Sequence, residues 1–322
     1  MVTFTVTERE DGQKIEKFVK KSMPEAPLGF LFKAFRKKDI KINGHWVHKD
    51  AVVHTGDEIQ VYVTDAQLAD FAKPRQAEKK EFPYEIVYED DNVIIVNKPA
   101  GVLVYGNDKE TRETLTQNVL DYLYLKGEFD PNQPSFVPSP AHRLDRNTSG
   151  LVIFGKRDAA LKVLEELFKK RENISKKYYA IVVGELSGSG RIDMPLKKDS
   201  RSGKVSITPA NQGGKTAITE WRAVESLPGF TLVECDLITG RTHQIRVHLS
   251  AIGHPIAGDQ KYGDFSVNKK LKELYGLKDQ FLHAYSLEFG KLPTPLSALS
   301  GKKFTADLSF IKKSILEKMR MV

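Results

Sequence analysis

The sequence predicts an α+β protein in which helices pack on a mixed, largely antiparallel sheet. Five short segments rich in β-branched and other apolar residues fit the strands of this sheet: 93–97, 151–155, 178–183, 216–222 and 231–237. An amphipathic helix is predicted at about 158–170, where apolar residues recur at helical spacing: Ala160, Leu164, Leu167 and Phe168. A separate amino-terminal region with its own helices and hairpin indicates a second, smaller domain.

The amino-terminal region is predicted to be a small α/β domain over residues 12–64. Apolar residues at helical spacing predict helices at Gln13–Lys21 and Leu28–Lys38, and a short strand follows at Ile40–Ile42. Asn43-Gly44 between apolar segments indicates a hairpin. The second helix carries basic residues opposite its apolar side: Lys33, Arg36, Lys37 and Lys38. Such a run is usually only a solvated helix face, so its function depends on its surroundings.

Three further segments complete the predicted domain organisation. Residues 65–83 are predicted to be a linker, because they are charged, contain two prolines and show little apolar periodicity. The large domain is then expected over residues 84–300. Residues 301–322 form a basic tail, which we expect to be a solvated terminal helix. Its basic residues are Lys302, Lys303, Lys312, Lys313, Lys318 and Arg320.

A charged turn at residues 140–150 is the strongest candidate for a reactive site. There Asp145 stands between Arg143 and Arg146, and the apolar strand 151–155 follows at once. Loops that a rigid sheet holds in place are where reacting groups usually lie. The alternative is a structural turn, in which the two arginines merely offset the charge of the aspartate.

A second candidate region joins the strand 231–237 to a helix through a turn at Thr239-Gly240. The helix is predicted to open with Arg241–Leu249 and to end at Gly253, before Pro255. The N-terminus of a helix attracts anions, and added arginines strengthen that attraction. This segment therefore predicts a site for an anionic group.

The composition suits a polyanionic partner but does not by itself identify one. The 322 residues carry a formal net charge of +8, and the pI is near 9.2. No stretch approaches the roughly 20 apolar residues of a membrane span. The start of the chain lacks the basic and apolar regions of a signal peptide, so we expect a cytoplasmic protein.

Cysteine and histidine usage argues against a metal site. Cys235 is the only cysteine, which excludes an intramolecular disulfide and a zinc site built on a cysteine pair. Its alternation with Val233 and Leu237 predicts a buried core residue. His243 and His248 stand five residues apart on the predicted helix, which turns them away from each other. We therefore expect no metal.

Taken together, these motifs resemble the RluA-type pseudouridine synthases. His142–Asp145 followed by Thr148–Gly150 is similar to the catalytic loop of that family. Alternate residues from Ile174 to Gly184 are similar to its second motif, and Gly240–Leu249 is similar to its third. Further landmarks occur in the order of the family: Asn97–Gly101, Gly253–Ile256, Gly258-Asp259 with Tyr262-Gly263, and Leu282–Ala284. The resemblance extends from about residue 84 to about residue 290.

The resemblance implies an enzyme that isomerises uridine within RNA, and most of the fold prediction depends on it. The N1–C1′ glycosidic bond breaks, the base turns, and C5 is joined to C1′. Asp145 would attack C1′ or the base, or else remove the C2′ proton to give a glycal, and the sequence leaves both routes open. Either role requires an ionised carboxylate, which a nearby arginine favours. The resemblance makes Arg246 that partner.

Tyr178 is the third catalytic residue that the resemblance implies. Its ring would lie against the flipped uracil, and its hydroxyl is a candidate for assisting the late removal of the C5 proton. The alternative for Tyr178 is a core aromatic residue with a hydrogen-bonded hydroxyl. For Arg246 the alternative is a solvated arginine on a helix.

Other basic residues are candidates for contacts with RNA. A stacked uridine must leave its stack to reach Asp145. Arg143 is our candidate to fill the gap, since a guanidinium plane can stack where a base was, and a plain ion pair is the equal alternative. Arg241 and His243 are also assigned to substrate or RNA. The residues that would face the phosphate backbone from the small domain are Lys33, Arg36, Lys37, Lys38 and Lys41.

The small domain resembles, more loosely, the S4 RNA-binding module that often precedes the catalytic domain in this family. The resemblance therefore implies large-subunit (23S) ribosomal RNA, or a precursor of that subunit, as the partner. We expect the protein to be a monomer. We expect no cofactor, because the isomerisation is redox-neutral. Two alternatives stay open: the same chemistry on tRNA, since base choice depends on RNA shape, or a catalytically silent RNA-binding protein.

Overall fold

The computed structural model describes residues 1–23, 26, 28–71, 82–106, 114–130, 136–199 and 202–321. The chain divides into two compact units, Met1–Gln76 and Ala77–Val322. Within the described ranges, no helix has the length and apolar character that a membrane crossing requires.

The amino-terminal unit combines a four-stranded antiparallel sheet with three helices. Its strands are β1 (Val2–Thr5), β2 (Ile40–Ile42), β3 (His45–Trp46) and β4 (Glu58–Val61), in the order β1-β4-β2-β3. Its helices are α1 (Ile15–Ser22), α2 (Leu28–Lys37) and α3 (Asp65–Phe71). The two predicted helices, the strand Ile40–Ile42 and the hairpin at Asn43-Gly44 are thereby confirmed.

Helices α1 and α2 each bury one apolar face in the core of this unit. The buried residues of the two helices include Ile15, Phe18, Val19, Leu31, Ala34 and Phe35. They pack with Ile40 of β2 and with Ile59 and Val61 of β4. The basic residues of the opposite side are exposed: Lys33, Arg36, Lys37 and Lys38. The amphipathic pattern of α2 therefore has the orientation that the sequence predicted.

Two features of the amino-terminal unit differ from the prediction. The unit begins before residue 12, because β1 pairs with β4 along its whole length. The predicted linker at 65–83 begins with helix α3, whose Leu68 packs against the core. Thr64 and Gln67 cap this helix reciprocally: the Gln67 amide donates to Thr64 Oγ1 at 3.2 Å, and the Thr64 amide donates to Gln67 Oε1 at 3.0 Å. Residues 72–81 lie outside the described residues.

The larger unit is built on one ten-stranded sheet and a separate two-stranded hairpin. The sheet strands are β5 (Glu85–Glu89), β6 (Val93–Lys98), β7 (Ser139–Pro140), β8 (Ser149–Gly155), β9 (Ile174–Val183), β10 (Ser189–Asp193), β13 (Ile218–Leu227), β14 (Phe230–Leu237), β15 (Leu282–Phe289) and β16 (Lys303–Thr305). The hairpin pairs β11 (Leu196–Lys198) with β12 (Val205–Ile207). The helices are α4 (Leu115–Leu125), α5 (Asp158–Lys170), α6 (Gln244–Ala251), α7 (Phe265–Tyr275) and α8 (Phe310–Arg320).

The sheet is mixed and largely antiparallel, as predicted. Its main path is β10-β13-β14-β9-β15-β8-β6-β5, with β7 paired to β8 and β16 paired to β15. Among the described strands, only β15 and β8 run parallel, with Ala284 opposite Gly150. The five predicted strands are present as β6, β8, β9, β13 and β14, and the helix predicted at 158–170 is α5.

The central strands bury both faces, which gives the site a rigid support. In β9, Tyr178 and Ala180 belong to the core on one face, and Ile181 belongs to the core on the other. Strand β8 is buried along its whole length. Cys235 in β14 is buried, as its alternation predicted. Strands β8 and β9 and helix α6 carry or flank the candidate site residues.

Residues 301–322 are not a solvated tail. Strand β16 pairs with β15, and helix α8 packs on the core through one face. The buried residues of α8 recur at helical spacing: Lys312, Ile315, Leu316 and Met319. The basic residues around these positions conceal the pattern, because a run of lysines resembles a solvated face. This segment belongs to the larger unit.

Candidate active site

Asp145 lies in the turn that leads into β8. Its backbone carbonyl accepts a hydrogen bond from the amide of Thr148 at 3.1 Å, which closes the turn. The neighbouring Leu144 is buried in the core. The side chain of Asp145 is 22% exposed, so the carboxylate is partly shielded yet accessible. The chain therefore presents a carboxylate from a loop that the sheet holds in place.

Lys98, the last residue of β6, fixes the backbone of this turn. The side chain is fully buried. Its ammonium donates hydrogen bonds to the carbonyls of Pro99 at 2.8 Å, Val102 at 2.8 Å and Arg146 at 2.9 Å. Burial lowers the pKa of Lys98 to about 7, because the charged form loses its hydration there. The residue that follows Asp145 is thereby tied to strand β6.

Gly150 allows β8 to begin beside β15. Its φ is +115°, and a Cβ at this position would collide with the backbone of Ala284. Only glycine satisfies both the backbone conformation and the close approach. The parallel pairing of β8 and β15 therefore depends on this residue, five positions after Asp145.

The turn that leads into α6 places Arg246. The buried side chain of Gln244 accepts hydrogen bonds from the hydroxyl of Thr239 at 2.7 Å and from the amide of Arg241 at 3.0 Å. The same side chain donates to the carbonyl of Ile218 at 2.9 Å. The turn is thus fastened to β13, and the first turn of α6 is held in a fixed position.

Helix α6 begins later than the sequence predicted. The φ of His243 is +55°, outside the helical region, so the helix starts at Gln244 and Arg241 stays in the preceding turn. Gly253 follows the helix with a φ of +85°, as predicted for its C-terminal end. Arg241 and His243 therefore reach the site from an irregular segment.

Arg246 joins two carboxylates. Its Nη1 donates to Oδ2 of Asp145 at 3.0 Å. Its Nε and Nη2 donate to the two oxygens of Asp259 at 2.7 and 2.9 Å. Asp259 is fully buried, and its Oδ1 also accepts hydrogen bonds from the amides of Lys261 and Tyr262. A guanidinium held at two points has a fixed orientation, so Asp259 positions Arg246 for its contact with Asp145.

Arg246 and Asp259 sustain each other's charge. Burial opposes the charge of Arg246, but the hydrogen bonds and the charge of Asp259, together with Asp145, outweigh it and raise the pKa of Arg246. Burial likewise opposes the charge of Asp259, and Arg246 outweighs it and lowers the pKa of Asp259. Asp145 therefore faces a permanent cation at neutral pH.

His243 makes a second approach to Asp145. Its Nε2 lies 3.8 Å from Asp145 Oδ2, and its Nδ1 is 2.8 Å from the hydroxyl of Tyr262. Burial lowers the pKa of His243, so the ring is neutral at neutral pH. The Tyr262 hydroxyl accepts a hydrogen bond from the amide of Val205 at 2.9 Å. It can then donate its own proton to Nδ1, which favours the tautomer with N–H on the side of Asp145.

Tyr178 lies in the middle of β9 and lines the same cleft. Its side chain is largely in the core, because the residue is only 4% exposed. Burial raises the pKa of Tyr178, so the hydroxyl keeps its proton at neutral pH. The hydroxyl has no hydrogen-bond partner within the described part of the chain. This differs from a core tyrosine whose hydroxyl is satisfied by the protein.

The candidate residues of the larger unit meet in one cleft of about 250 Å³. It is lined by all six of them: Arg143, Asp145, Tyr178, Arg241, His243 and Arg246. Arg143 and Arg241 are exposed, whereas Arg246 is buried. Lys33, Arg36, Lys37 and Lys38 belong to the amino-terminal unit. The sequence thus predicted which residues of the larger unit come together.

Three residues that shape the site received no role from the sequence: Lys98, Asp259 and Tyr262. Each stands in a family landmark, but a single lysine, aspartate or tyrosine carries no pattern that reveals its partner. His248 is buried away from His243 and bonds Thr219 and the carbonyl of Met194. Among the described residues, no group of three or more His, Cys, Asp or Glu side chains is arranged to hold a metal ion.

Comparison with known proteins agrees with this geometry. A family model described as RNA pseudouridylate synthase matches residues 92–251. A ribosomal large subunit pseudouridine synthase C from Haemophilus ducreyi is 32% identical over 321 residues, which cover 98% of this chain and 95% of that protein. The protein of the same name from Escherichia coli K12 is 31% identical over 288 residues, or 88% and 87% of the two chains.

Solved structures of the same family also match. Human RNA pseudouridylate synthase domain containing 4 superposes with a TM-score of 0.58 at 25% identity, covering 73% of this chain and 92% of that one. Human RNA pseudouridylate synthase domain containing 1 gives a TM-score of 0.51 at 25% identity, covering 76% and 98%. The chain therefore belongs to the RNA pseudouridylate synthase family, as an enzyme of the RluA type.

Proposed function

We propose that this protein converts specific uridines of large-subunit (23S) ribosomal RNA into pseudouridine, with Asp145 as the essential carboxylate. The observation that carries the proposal is the hydrogen-bonded chain from Asp259 through Arg246 to Asp145, in a cleft also lined by Tyr178. The choice of RNA is supported by the relatives from Haemophilus ducreyi and Escherichia coli, whose name is ribosomal large subunit pseudouridine synthase C.

Breaking the N1–C1′ bond is the first task of the site. In one route, Asp145 attacks C1′ and forms an ester, the uracil leaves and turns, and C5 displaces the carboxylate. In the other, Asp145 takes the C2′ proton, a glycal forms as the base leaves, and the proton returns to C2′ when C5 bonds to C1′. Both routes need a carboxylate at the sugar, and the guanidinium of Arg246 places a positive charge beside it, with Nη1 3.0 Å from Asp145 Oδ2.

Loss of the C5 proton completes the isomerisation. After the new C–C bond forms, C5 carries a hydrogen that a base must remove. Tyr178 is the candidate for contact with this edge of the base. Because burial raises the pKa of Tyr178, its hydroxyl would not act as a free phenolate; it would accept the C5 proton at oxygen while its own proton passes to solvent in the cleft.

The target uridine must leave its stack before it can reach the cleft, at a cost of roughly a few kcal/mol. Arg143 is exposed at the cleft, two residues before Asp145. Its guanidinium plane suits the space that the base vacates, and it also binds phosphate. We assign Arg143, Arg241 and His243 to substrate contact on this basis.

The amino-terminal unit provides a second attachment to RNA. Its exposed basic residues on and after α2 match the charge of the phosphate backbone: Lys33, Arg36, Lys37 and Lys38. An S4-like module joined to the catalytic unit raises affinity through effective concentration. The enzyme works in the cytoplasm as a monomer, and it uses no cofactor or metal.

Release of tritium from C5 of labelled uridine tests the proposal. Unmodified 23S ribosomal RNA and bulk tRNA serve as separate substrates, with Asp145→Asn as the variant that is expected to be inactive. Asp158→Asn, in the first turn of α5 with a side chain that is 46% exposed, is the matched control that should behave as wild type. We expect release from ribosomal RNA alone and none with Asp145→Asn. Release from tRNA alone would contradict the choice of ribosomal RNA as the substrate. No release from either RNA would contradict the proposed activity.

A further inference from the structure

One wall of the cleft carries cations that have no carboxylate partner among the residues that the structure describes. Lys176 of β9 and Arg171, which follows α5, line the cleft together with Arg241. Lys176 is only 7% exposed, and Arg171 is half-buried. Across the described ranges, neither Lys176 nor Arg171 forms an ion pair with a carboxylate.

The ring of Phe168 supports this group of cations. The Nζ of Lys176 lies 4.9 Å from the ring centroid, and the Cζ of Arg171 lies 6.0 Å from it. The ring of His142 packs on the same phenylalanine with centroids 4.6 Å apart. The Nδ1 of His142 is buried and has no hydrogen-bond partner among the residues that the structure describes. This wall of the cleft thus carries both positive charge and a buried polar atom without a hydrogen-bond partner.

Burial of unpaired cations is unfavourable unless a ligand compensates them. Burial, with the neighbouring charge of Arg171, lowers the pKa of Lys176 to about 7. Burial also lowers the pKa of Arg171, and Arg241 adds to the effect. Unpaired charges in a cleft are more typical of a binding site than of a structural core. Arg246 in the same cleft, by contrast, has two carboxylate partners.

We infer that Lys176 and Arg171 form a binding site for an RNA phosphate adjacent to the uridine that enters the cleft. The inference rests on the proposed function, because a flipped nucleotide carries its own phosphates toward the protein. Lys176 and Tyr178 lie on the same face of β9, so this phosphate would be next to the base that contacts Tyr178. Guanidinium and ammonium groups are the usual partners of phosphate oxygens.

Phosphate binding at this site is linked to protonation. A buried amine with a pKa near 7 is partly neutral in the free enzyme, and an anion beside it favours the charged form. Binding therefore takes up a proton, and affinity weakens as the pH rises above 7. The charged and titratable groups that share this cleft with Lys176 are His142, Arg143, Asp145, Arg171, Tyr178, Arg241, His243 and Arg246.

Isothermal titration of uridine 5′-monophosphate, uridine 3′-monophosphate and uridine tests the site without ribosomal RNA. At pH 6.5 we expect wild type to bind one of the two nucleotides more tightly than uridine. We expect Lys176→Met to bind that nucleotide about tenfold more weakly than wild type and to bind uridine with unchanged affinity. Lys177→Met is the matched control, because this neighbouring lysine pairs with Glu234, outside the cleft. Lys176→Arg should keep the preference for the nucleotide up to pH 9.

Equal affinity of wild type and Lys176→Met for both uridine monophosphates, with thermal unfolding showing that both proteins are folded, would overturn the inference. Loss of tritium release in Lys176→Met and Lys176→Arg with unchanged nucleotide affinity would also overturn it, since Lys176 would then serve the reaction instead. If wild type releases no tritium from any RNA, the proposed function fails while the nucleotide titration still tests this site. The two failures are therefore distinguishable.

A second experiment locates the phosphate once the modified uridine is mapped. RNA substrates carry an uncharged methylphosphonate on the 5′ or the 3′ side of that uridine. We expect Lys176→Met to lower kcat/KM about tenfold on ordinary RNA. On one of the two substituted RNAs, the variant and wild type should have the same kcat/KM, because the phosphate charge that Lys176 contacts is already absent. Independent losses on both substituted RNAs would contradict a contact between Lys176 and either phosphate.

Discussion

The two walls of the cleft differ in whether their buried cations have carboxylate partners. On one wall, Arg246 is hydrogen-bonded to Asp145 and to Asp259, with distances of 2.7 to 3.0 Å. On the other, Lys176 and Arg171 have no carboxylate partner in the described part of the chain. The first wall is complete before RNA arrives, and the second is completed by the phosphate that we propose it binds.

We propose that this difference separates catalysis from binding. A preorganised ion chain stabilises charge at the reacting sugar without reorganisation during the reaction. Uncompensated cations lower the stability of the free enzyme and recover that energy when an anion binds. The comparison therefore predicts that changes on the first wall act on the chemical step, whereas changes on the second act on affinity.

The largest effect is expected from Arg246→Met, which breaks the first wall. The variant leaves Asp259 buried without its partner and Asp145 without its cation. We expect tritium release to fall about 1,000-fold or more, and the free energy of unfolding to fall by about 3–5 kcal/mol. Urea unfolding and the tritium assay measure the two effects.

Arg222→Met is the control for Arg246→Met. Arg222 forms an ion pair with Glu234, and its side chain is 61% exposed. Loss of such a pair should change stability by about 1 kcal/mol or less, and activity should stay unchanged. Near wild-type turnover in Arg246→Met would show that the ion chain is not needed for the reaction.

A smaller effect is expected from Asp259→Asn, which keeps the shape and removes one charge. Arg246 would lose its fixed orientation, so we expect kcat to fall about 10- to 100-fold, as for other residues that orient a reactive group. The pKa of Asp259 is lowered in the folded protein, so its stabilising charge is present above the unfolded pKa of about 4 and is lost as the pH falls through the folded pKa.

Acid unfolding measures the pH component of this prediction. Between pH 2 and pH 6, the loss of stability on acidification should be smaller in Asp259→Asn than in wild type. An identical acid profile for both proteins would mean that the Arg246–Asp259 pair contributes no pH-dependent stability.

Lys176→Met should change stability in the opposite direction. Removal of an unpaired buried amine is expected to raise the free energy of unfolding by about 1 kcal/mol at pH 7. In the folded protein the pKa of Lys176 is lowered to about 7, whereas its ordinary pKa is 10.5. Between these two pH values the unfolded chain binds more protons than the folded one. Wild-type stability therefore rises with pH in this range.

The slope of stability between pH 7 and pH 9 checks this sign. It should be smaller in Lys176→Met but not zero, since burial also lowers the pKa of Lys98 and of Lys312 to about 7. A variant that is less stable than wild type at every pH would indicate that Lys176 is a structural residue.

The smallest effect is expected in the amino-terminal unit. Lys33→Ala with Lys37→Ala should weaken RNA binding several-fold and reduce the slope of log Kd against log salt by about 1 for each phosphate that is no longer neutralised. The rate at saturating enzyme should not change. An unaltered salt slope would remove these lysines from the RNA interface.

Much of the fold could be predicted because its strands are short apolar segments with clear ends. The strands β6, β8, β9, β13 and β14 and the helix α5 have clear local patterns, whereas their arrangement in one sheet was predicted mostly from the family resemblance. A helix was expected near α8, but its buried face could not be recognised, since Lys312 and its lysine neighbours hide the apolar residues. Strand β1 was missed although apolar and polar residues alternate over Val2–Val6, which was the available signal for a strand. The capping box at Thr64 and Gln67 was the available signal for α3.

The site shows the same division. Asp145, Tyr178 and Arg246 stand in motifs that resemble a known family, and the structure brings them to one cleft. The bond between Arg246 and Asp259 is a tertiary contact, so the sequence could place Asp259 in a family landmark but could not reveal its partner. Lys98 is similar, because its three acceptors are backbone carbonyls that the sequence does not display.

Single-turnover tritium release over a range of enzyme concentrations tests the separation of the two walls most directly. With the mapped ribosomal RNA as substrate, Asp145→Asn should bind with the affinity of wild type and show no release at any concentration. Lys176→Met should reach a rate near that of wild type, but only at about tenfold higher enzyme concentration. Release by Asp145→Asn, or a low plateau with unchanged affinity in Lys176→Met, would contradict the assignment of chemistry to one wall and phosphate binding to the other.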